Sequence, residues 1–169
     1  GLALAGSMPV EAQAQNQPNL SGIVNAQSIG PSEQQQIDNA VKPLLVQLAT
    51  GSDSQVAEAR KQLLQIYESS LLLQGSPAFF VALSQTIADN LKPAADAERI
   101  ICRINAMIIA GRAGSKPIIP LLIDGLNDDA PAVRYAAARA IAEMFNPTLA
   151  GHDVTNIFDT SDYTQLVEA

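Results

Sequence analysis

The chain has 169 residues, 47% of them hydrophobic but only 4% aromatic, with no Trp, one Cys and one His. That length holds one core or one continuous stack, and apolar mass drawn from Ala, Leu, Ile and Val suits close helix packing better than a β-sandwich or barrel. Lone Cys102 and His152 exclude a disulfide framework or a Cys/His zinc cluster within the chain, a net charge of −7 has the wrong sign for a general nucleic-acid binder, and no uninterrupted apolar run reaches the roughly 18 residues of a membrane span.

Charge is unevenly placed. All ten cationic residues lie between Lys42 and Arg139, so the flanks are purely acidic. At the start, Leu2-Ala3-Leu4-Ala5-Gly6 precedes Pro9 and the small-x-small triplet Ala12-Gln13-Ala14, the pattern of the end of a secretory signal peptide, with cleavage after Ala14. Residues 1–14 are accordingly expected to be a signal-peptide remnant of an exported bacterial protein. The uncharged, amide-rich stretch that follows buries too little to offset its ordering entropy. Residues 15–31 are therefore expected to form a disordered linker outside the fold.

Beyond Pro31, Ser, Asp or Pro opens each apolar-periodic segment and Gly or Asn closes it. The first helix is predicted from Ser32, with Gln35 in capping-box spacing, to about Thr50. A second starts at the Ser52 cap, with Gln55 three residues on, and ends near Gln74. Ser76-Pro77 opens a third to about Leu91, and a fourth follows Pro93 and stops at Gly111. A short fifth runs from Ser115 to about Leu126. The sixth begins at Asp128-Asp129, carries Pro131 in its first turn, and ends at Phe145. The apolar stripes of the even-numbered helices are read as Val56, Ala59, Leu63, Leu64 and Tyr67; Ala97, Ile100, Ile101, Ile104 and Ile108; and Val133, Ala136, Ala137, Ala140, Ile141 and Met144. The fourth helix, with Met107 and Ile109 added, is apolar around more of its circumference, as a helix with neighbours on both sides would be.

An internal repeat agrees with this. One offset of 77 residues carries Pro43-Leu44-Leu45 onto Pro120-Leu121-Leu122, Val56 onto Val133, Ala59 onto Ala136 and Leu64 onto Ile141. Half that offset is close to the period of about 40 residues of two-helix solenoids. Pro120, then Asp128, Val133 and Arg134 in the run Asn127 to Ala137, resembles the HEAT repeat, in particular the short bacterial form related to phycobilisome-lyase repeats. The first pair resembles it in Pro43 and Val56 only, with Gly51 and Ala57 where Asp and Arg would stand, and the second pair lacks the motif. The resemblance covers residues 32–146. It implies an all-α superhelix, an α-solenoid of about three antiparallel helix pairs, in which Pro bends each first helix and the Asp and Arg serve turn and inter-repeat contacts. Residues 147–169 are expected to be a tail or the start of a further repeat, from Ser161-Asp162 onward.

Chemistry loses to packing at each candidate position. Cys102 lies between Arg99 and Arg103, which would lower its pKa if it were exposed, yet no His is near in sequence and a free Cys usually behaves as a small buried hydrophobe. His152 reads as a surface loop residue, and Asp128-Asp129 as a helix-start cap rather than an acid/base pair or Ca²⁺ ligand. No catalytic residue, metal or cofactor is assigned.

What remains is a surface. In a HEAT-like stack the second helices line the concave face, and positions two and six residues after each stripe's first member point away from the first helices: Glu58, Gln62, Arg99, Arg103, Tyr135 and Arg139. Arg99, Arg103, Tyr135 and Arg139 would then form a cationic ribbon for an acidic protein segment. The expected role is a non-catalytic protein-interaction scaffold. The alternatives are a spacer module of a larger exported enzyme and a bilin-lyase-like accessory protein.

Overall fold

The computed structural model describes residues 20–145 together with Ser161, Thr164 and Gln165. The expected leader, His152 and most of the 147–169 tail lie outside these residues. The described chain is all helical: α1 (Pro31–Thr50), α2 (Asp53–Leu72), α3 (Pro77–Asn90), α4 (Lys92–Ala95), α5 (Ile100–Ala113), α6 (Ile119–Leu126) and α7 (Pro131–Met144), with a 3₁₀ turn at Lys116–Ile118 leading into α6. Three units stack. In each, one helix or broken helix of a first layer (α1; α3 with α4; α6) packs on one helix of a second layer (α2; α5; α7), and α5 lies between α2 and α7.

Local chemistry sets the boundaries. Ser52 caps α2 reciprocally with Gln55: the Gln55 N–H donates to Ser52 Oγ, and the Ser52 N–H donates to Gln55 Oε1 at 2.8 Å. Ser76 Oγ accepts from the Phe79 N–H at 3.1 Å to start α3. The cap of α1 differs from the expected one. This helix begins at Pro31, the Gly30 N–H donates to Glu33 Oε2 at 3.1 Å, and Gln35 instead bonds Asn39 on the next turn. Pro43 sits inside α1, whereas Pro120 is the second residue of α6, where the Ile119 N–H already meets the Lys116 carbonyl of the preceding turn.

Two glycines exchange roles with their expected ones. Gly111 does not stop α5; Gly114 does, in the left-handed conformation with φ 52°. At the end of α2 the positive φ falls on Gln74 rather than Gly75. Gly75 serves a close approach, since a Cβ there would lie 2.9 Å from the Phe80 ring.

The largest correction concerns the middle unit. The helix predicted from Pro93 to Gly111 is broken: α4 ends at Ala95, the chain turns over residues 96–99, and α5 starts at Ile100. The turn persists because the Arg103 guanidinium takes its carbonyls, Nη1 donating to Ala97 O and Glu98 O at 3.1 Å each. α4 thus belongs to the first layer, and the inward face of α5 is Cys102, Asn105, Ala106, Ile109, Ala110 and Ala113. The expected stripe is rotated out, with Ile100 47% and Ile101 39% exposed and Ile104 and Ile108 half-buried. Small residues take the interior because α5 is squeezed between two helices.

The core runs unbroken from Leu20 to Met144. Its largest enclosed side chains include Tyr67, Phe79, Leu63, Leu83 and Ile109. Leu64 and Ile141, paired by the sequence offset, both pack half-buried against it. Tyr67 is fully enclosed, and its hydroxyl meets Ser84 Oγ at 3.1 Å, which itself donates to the Ala113 carbonyl at 2.8 Å. This relay ties all three of α2, α3 and α5, and burial pushes the Tyr67 phenol far above its ordinary pKa.

Residues 20–30 are part of the fold and not a linker outside it. Leu20, Ile23 and Val24 are buried. Ser76 anchors the segment twice, its N–H donating to Val24 O at 2.8 Å and its Oγ to Ala26 O at 2.6 Å. Three apolar side chains at i, i+3 and i+4 suffice to order a turn against α1 and α2 despite its uncharged, amide-rich surroundings.

Candidate functional site

The junction between the second and third units is the most elaborate polar site among the described residues. It forms because α5 and α7 are equivalent: an offset of 31 residues carries Cys102 onto Val133, Arg103 onto Arg134, Ala106 onto Ala137 and Ala113 onto Met144. Both arginines close their own turn in the same manner. Arg134 Nη1 donates to Asp128 O at 2.8 Å and Asp129 O at 3.0 Å, as Arg103 does to Ala97 and Glu98. The middle unit therefore does carry the repeat's Arg, in Arg103, with Ala97 where the third unit has Asp128.

Arg103 also crosses to the next unit. Its Nη2 donates to Asp128 Oδ1 at 3.1 Å and to Asp129 Oδ1 at 2.7 Å, while Nε lies 2.9 Å from Asp128 Oδ2 without the alignment of a hydrogen bond. The Arg103 and Asp128 side chains are only 13% and 12% exposed. Asp128 accepts the Ala130 N–H at 2.8 Å as well, just before α7. Burial alone would raise the Asp128 pKa, but the Ala130 N–H and the Arg103 guanidinium outweigh it and hold the carboxyl below its ordinary value. Asp128 acts as a turn and inter-unit anchor, so neither an acid/base pair nor a Ca²⁺ ligand is needed to explain it.

A second network joins α1 to α3. Asp38 pairs with Lys42 at 2.7 Å and accepts from Gln34 Nε2 at 2.9 Å and Thr86 Oγ1 at 3.0 Å. The Lys42 contact, followed by the Gln34 and Thr86 bonds, lowers the Asp38 pKa against a modest cost of burial. Depressed carboxyls add stability that is present above their unfolded pKa of about 3.9 and is lost as pH falls through the lower folded value. The urea midpoint is expected to hold between pH 7 and 5 and to fall below about pH 4. Asp38→Asn and Asp128→Asn should start lower at pH 7 and lose less on acidification; unchanged acid sensitivity in both variants would contradict these pairings.

The four expected ribbon residues are not brought together as one cationic surface. Arg99, at the N-cap of α5, reaches back to the first unit, where it bonds Gly51 O and pairs with Asp53. Arg103 is spent on the inter-unit pair. Arg139 is exposed and pairs with Glu143 at 2.7 Å on its own helix, and Tyr135 is 71% exposed. The register explains the miss. Counted from Cys102 instead of Ala97, the positions two and six residues on are Ile104 and Ile108, and these stand in α5 where Tyr135 and Arg139 stand in α7. Pro43, Val56, Pro120, Val133 and Arg134 keep structural roles: Val56 and Val133 are fully buried on the inward faces of α2 and α7. Cys102 is enclosed as well, which fits the inert reading.

The family model of the HEAT repeat matches residues 118–146, the third helix pair together with the turn that binds Arg103. The chain carries a HEAT repeat. Neither the curated proteins nor the solved structures give a match to it. The all-helical stack of paired helices is a HEAT-like fold, and its first two units show the same two-layer arrangement with little of the motif. No helix among the described residues is long and apolar enough to cross a membrane.

Proposed function

We propose that this chain is a non-catalytic protein-interaction scaffold in an exported bacterial protein, and that it binds through the face of the second helix layer turned away from the first. The observation that carries this is the side-chain set left on that face. Tyr135 is 71% and Ile101 39% exposed, beside half-buried Ile104 and Ile108, while Ala and Cys fill the interior of the same helices. Large apolar and aromatic groups held at solvent by rigid helices are what a binding patch requires, since water leaves them at little entropic cost to the protein. Arg139 at the rim adds one cation, and an acidic residue of the partner would compete with Glu143 for it. The patch therefore suits a protein segment with apolar anchors and an acidic flank. Export rests on the leader pattern at Ala12-Gln13-Ala14.

A photo-crosslinking amino acid at Tyr135 tests the reading, with exposed Gln36 on α1 as the reference position. In extract of the source cells, Tyr135 is expected to yield a discrete crosslinked protein that Ile101→Glu abolishes with helicity unchanged. Equal products from Gln36, or none from Tyr135, would refute the face.

A further inference from the structure

The first layer is interrupted between the second and third units. α4 has four residues and α6 eight, and the chain turns away from the layer at Asp96. The ends of these short helices border a groove of about 580 Å³, within the range of about 300–1,000 Å³ usual for binding clefts. Ala95, Pro117, Pro120 and Leu121 give it an apolar wall, half-buried or exposed at each of the four. Neither proline has an N–H, and the Ile118 and Ile119 N–H groups between them are taken by Ser115 O and Lys116 O. An anion would find no free backbone donor in this stretch.

The charges around the groove have the opposite preference. Asp96, Asp124, Asp128 and Asp129 border it, against the two cations Lys92 and Arg103. Both cations are already matched: Lys92 pairs with Asp96 at 2.9 Å, and Arg103 holds Asp128 and Asp129. Two negative charges are therefore in excess. Asp124 is exposed and makes no ion pair among the described residues, and it lies in the last turn of α6, where the carbonyl end of the helix deepens the negative potential. Asp129 gives Oδ1 to Arg103 while its side chain stays 90% exposed.

We propose that this groove docks a basic segment of a protein partner, with a lysine stem laid on Pro117, Pro120 and Leu121 and its ammonium held by Asp124 and Asp129. Lysine fits both halves of the site. Its methylenes cover an apolar wall while its compact charge stays at the wet rim, where the two carboxylates stand. The groove adds to the face that carries Tyr135 and Ile101 and does not depend on it, since that face suits a segment of the opposite charge.

Fluorescence anisotropy of a dye-labelled tetralysine peptide with the full chain tests this. Asp124→Lys is expected to weaken binding roughly tenfold or more, and Asp124→Asn by a smaller factor, with the circular dichroism of both unchanged. Glu58→Lys, the same charge reversal at an exposed position on α2, should weaken it by less than about twofold. Tetraornithine, which keeps the charge on stems one methylene shorter, should bind about threefold more weakly. Equal losses from Asp124→Lys and Glu58→Lys would overturn the proposal, because net charge alone would then explain the binding. So would equal affinity for the two peptides, no binding of tetralysine, or free cadaverine binding as tightly as the peptide, which would assign the groove to a small amine.

Discussion

Replacing Gly111 with Ala is expected to destabilise the protein by about 2 kcal/mol, although the same exchange in an exposed helix stabilises by up to about 1 kcal/mol. The two effects oppose each other, and the geometry decides between them. A Cβ on Gly111 would lie 2.8 Å from both Cα and Cβ of Ala140 and 2.9 Å from its carbonyl oxygen. Backbone cannot swing aside as a long side chain can, so α5 and α7 must separate, and the packing lost along both helices exceeds the gain in propensity. At roughly 2–4 °C per kcal/mol for a chain of this size, the melting temperature should fall by about 4–8 °C. Gly111→Val should lower it further. Gly125→Ala is a milder test, because its new Cβ would strike the flexible Met107 side chain at 2.3 Å. Calorimetry of the three variants checks the order, and a stabilised Gly111→Ala would contradict the α5–α7 contact.

Truncating Arg103 should have an effect of similar or greater size. Arg103→Ala strands the mostly buried Asp128 carboxylate and leaves two turn carbonyls without their donor. Breaking one side of such a pair costs about 3 kcal/mol. Arg134→Ala removes the same two kinds of turn bond, but from an exposed side chain and without stranding a buried carboxylate among the described residues, so its loss should be clearly smaller. Asp128→Asn keeps the size and the Ala130 bond while weakening the ion pair, so it should fall between them. Urea unfolding orders the three, and equal losses for Arg103→Ala and Arg134→Ala would remove the inter-unit role assigned to Arg103.

The outer units were legible in the sequence because their signals are local and agree with one another. Ser52 with Gln55 and the stripes through Val56 and Val133 each mark a boundary or a face without reference to the rest of the chain. The middle unit was not. Its Ile100, Ile101, Ile104 and Ile108 are the most hydrophobic residues at helical spacing, and reading the largest side chains as the core rotates α5 the wrong way. A helix with neighbours on both sides buries Cys102, Ala106, Ala110 and Ala113, whose small size is itself the signal of close approach. The dipeptides Cys102-Arg103 and Val133-Arg134 hold the missing register, visible once Cys is counted as apolar. The same slip put Arg99 and Arg103 on a binding face, and the correction exchanges a cationic ribbon for Ile104 and Ile108. The burial of residues 20–30 is hidden from the sequence for a related reason. Composition averages over a segment, while burial there depends on Leu20, Ile23 and Val24 falling on one side of a turn.

The register of α5 between α2 and α7 is the claim on which the junction and the binding face both depend. A methyl-resolved nuclear Overhauser spectrum of the full chain tests it directly. The predicted spectrum shows the Ala140 methyl against the Gly111 Hα and the Met107 methyl against the Gly125 Hα, with the Ile101 methyls free of long-range cross-peaks to core residues. Cross-peaks joining Ile101 to core residues such as Leu83 or Leu63, with none between Ala140 and Gly111, would contradict it.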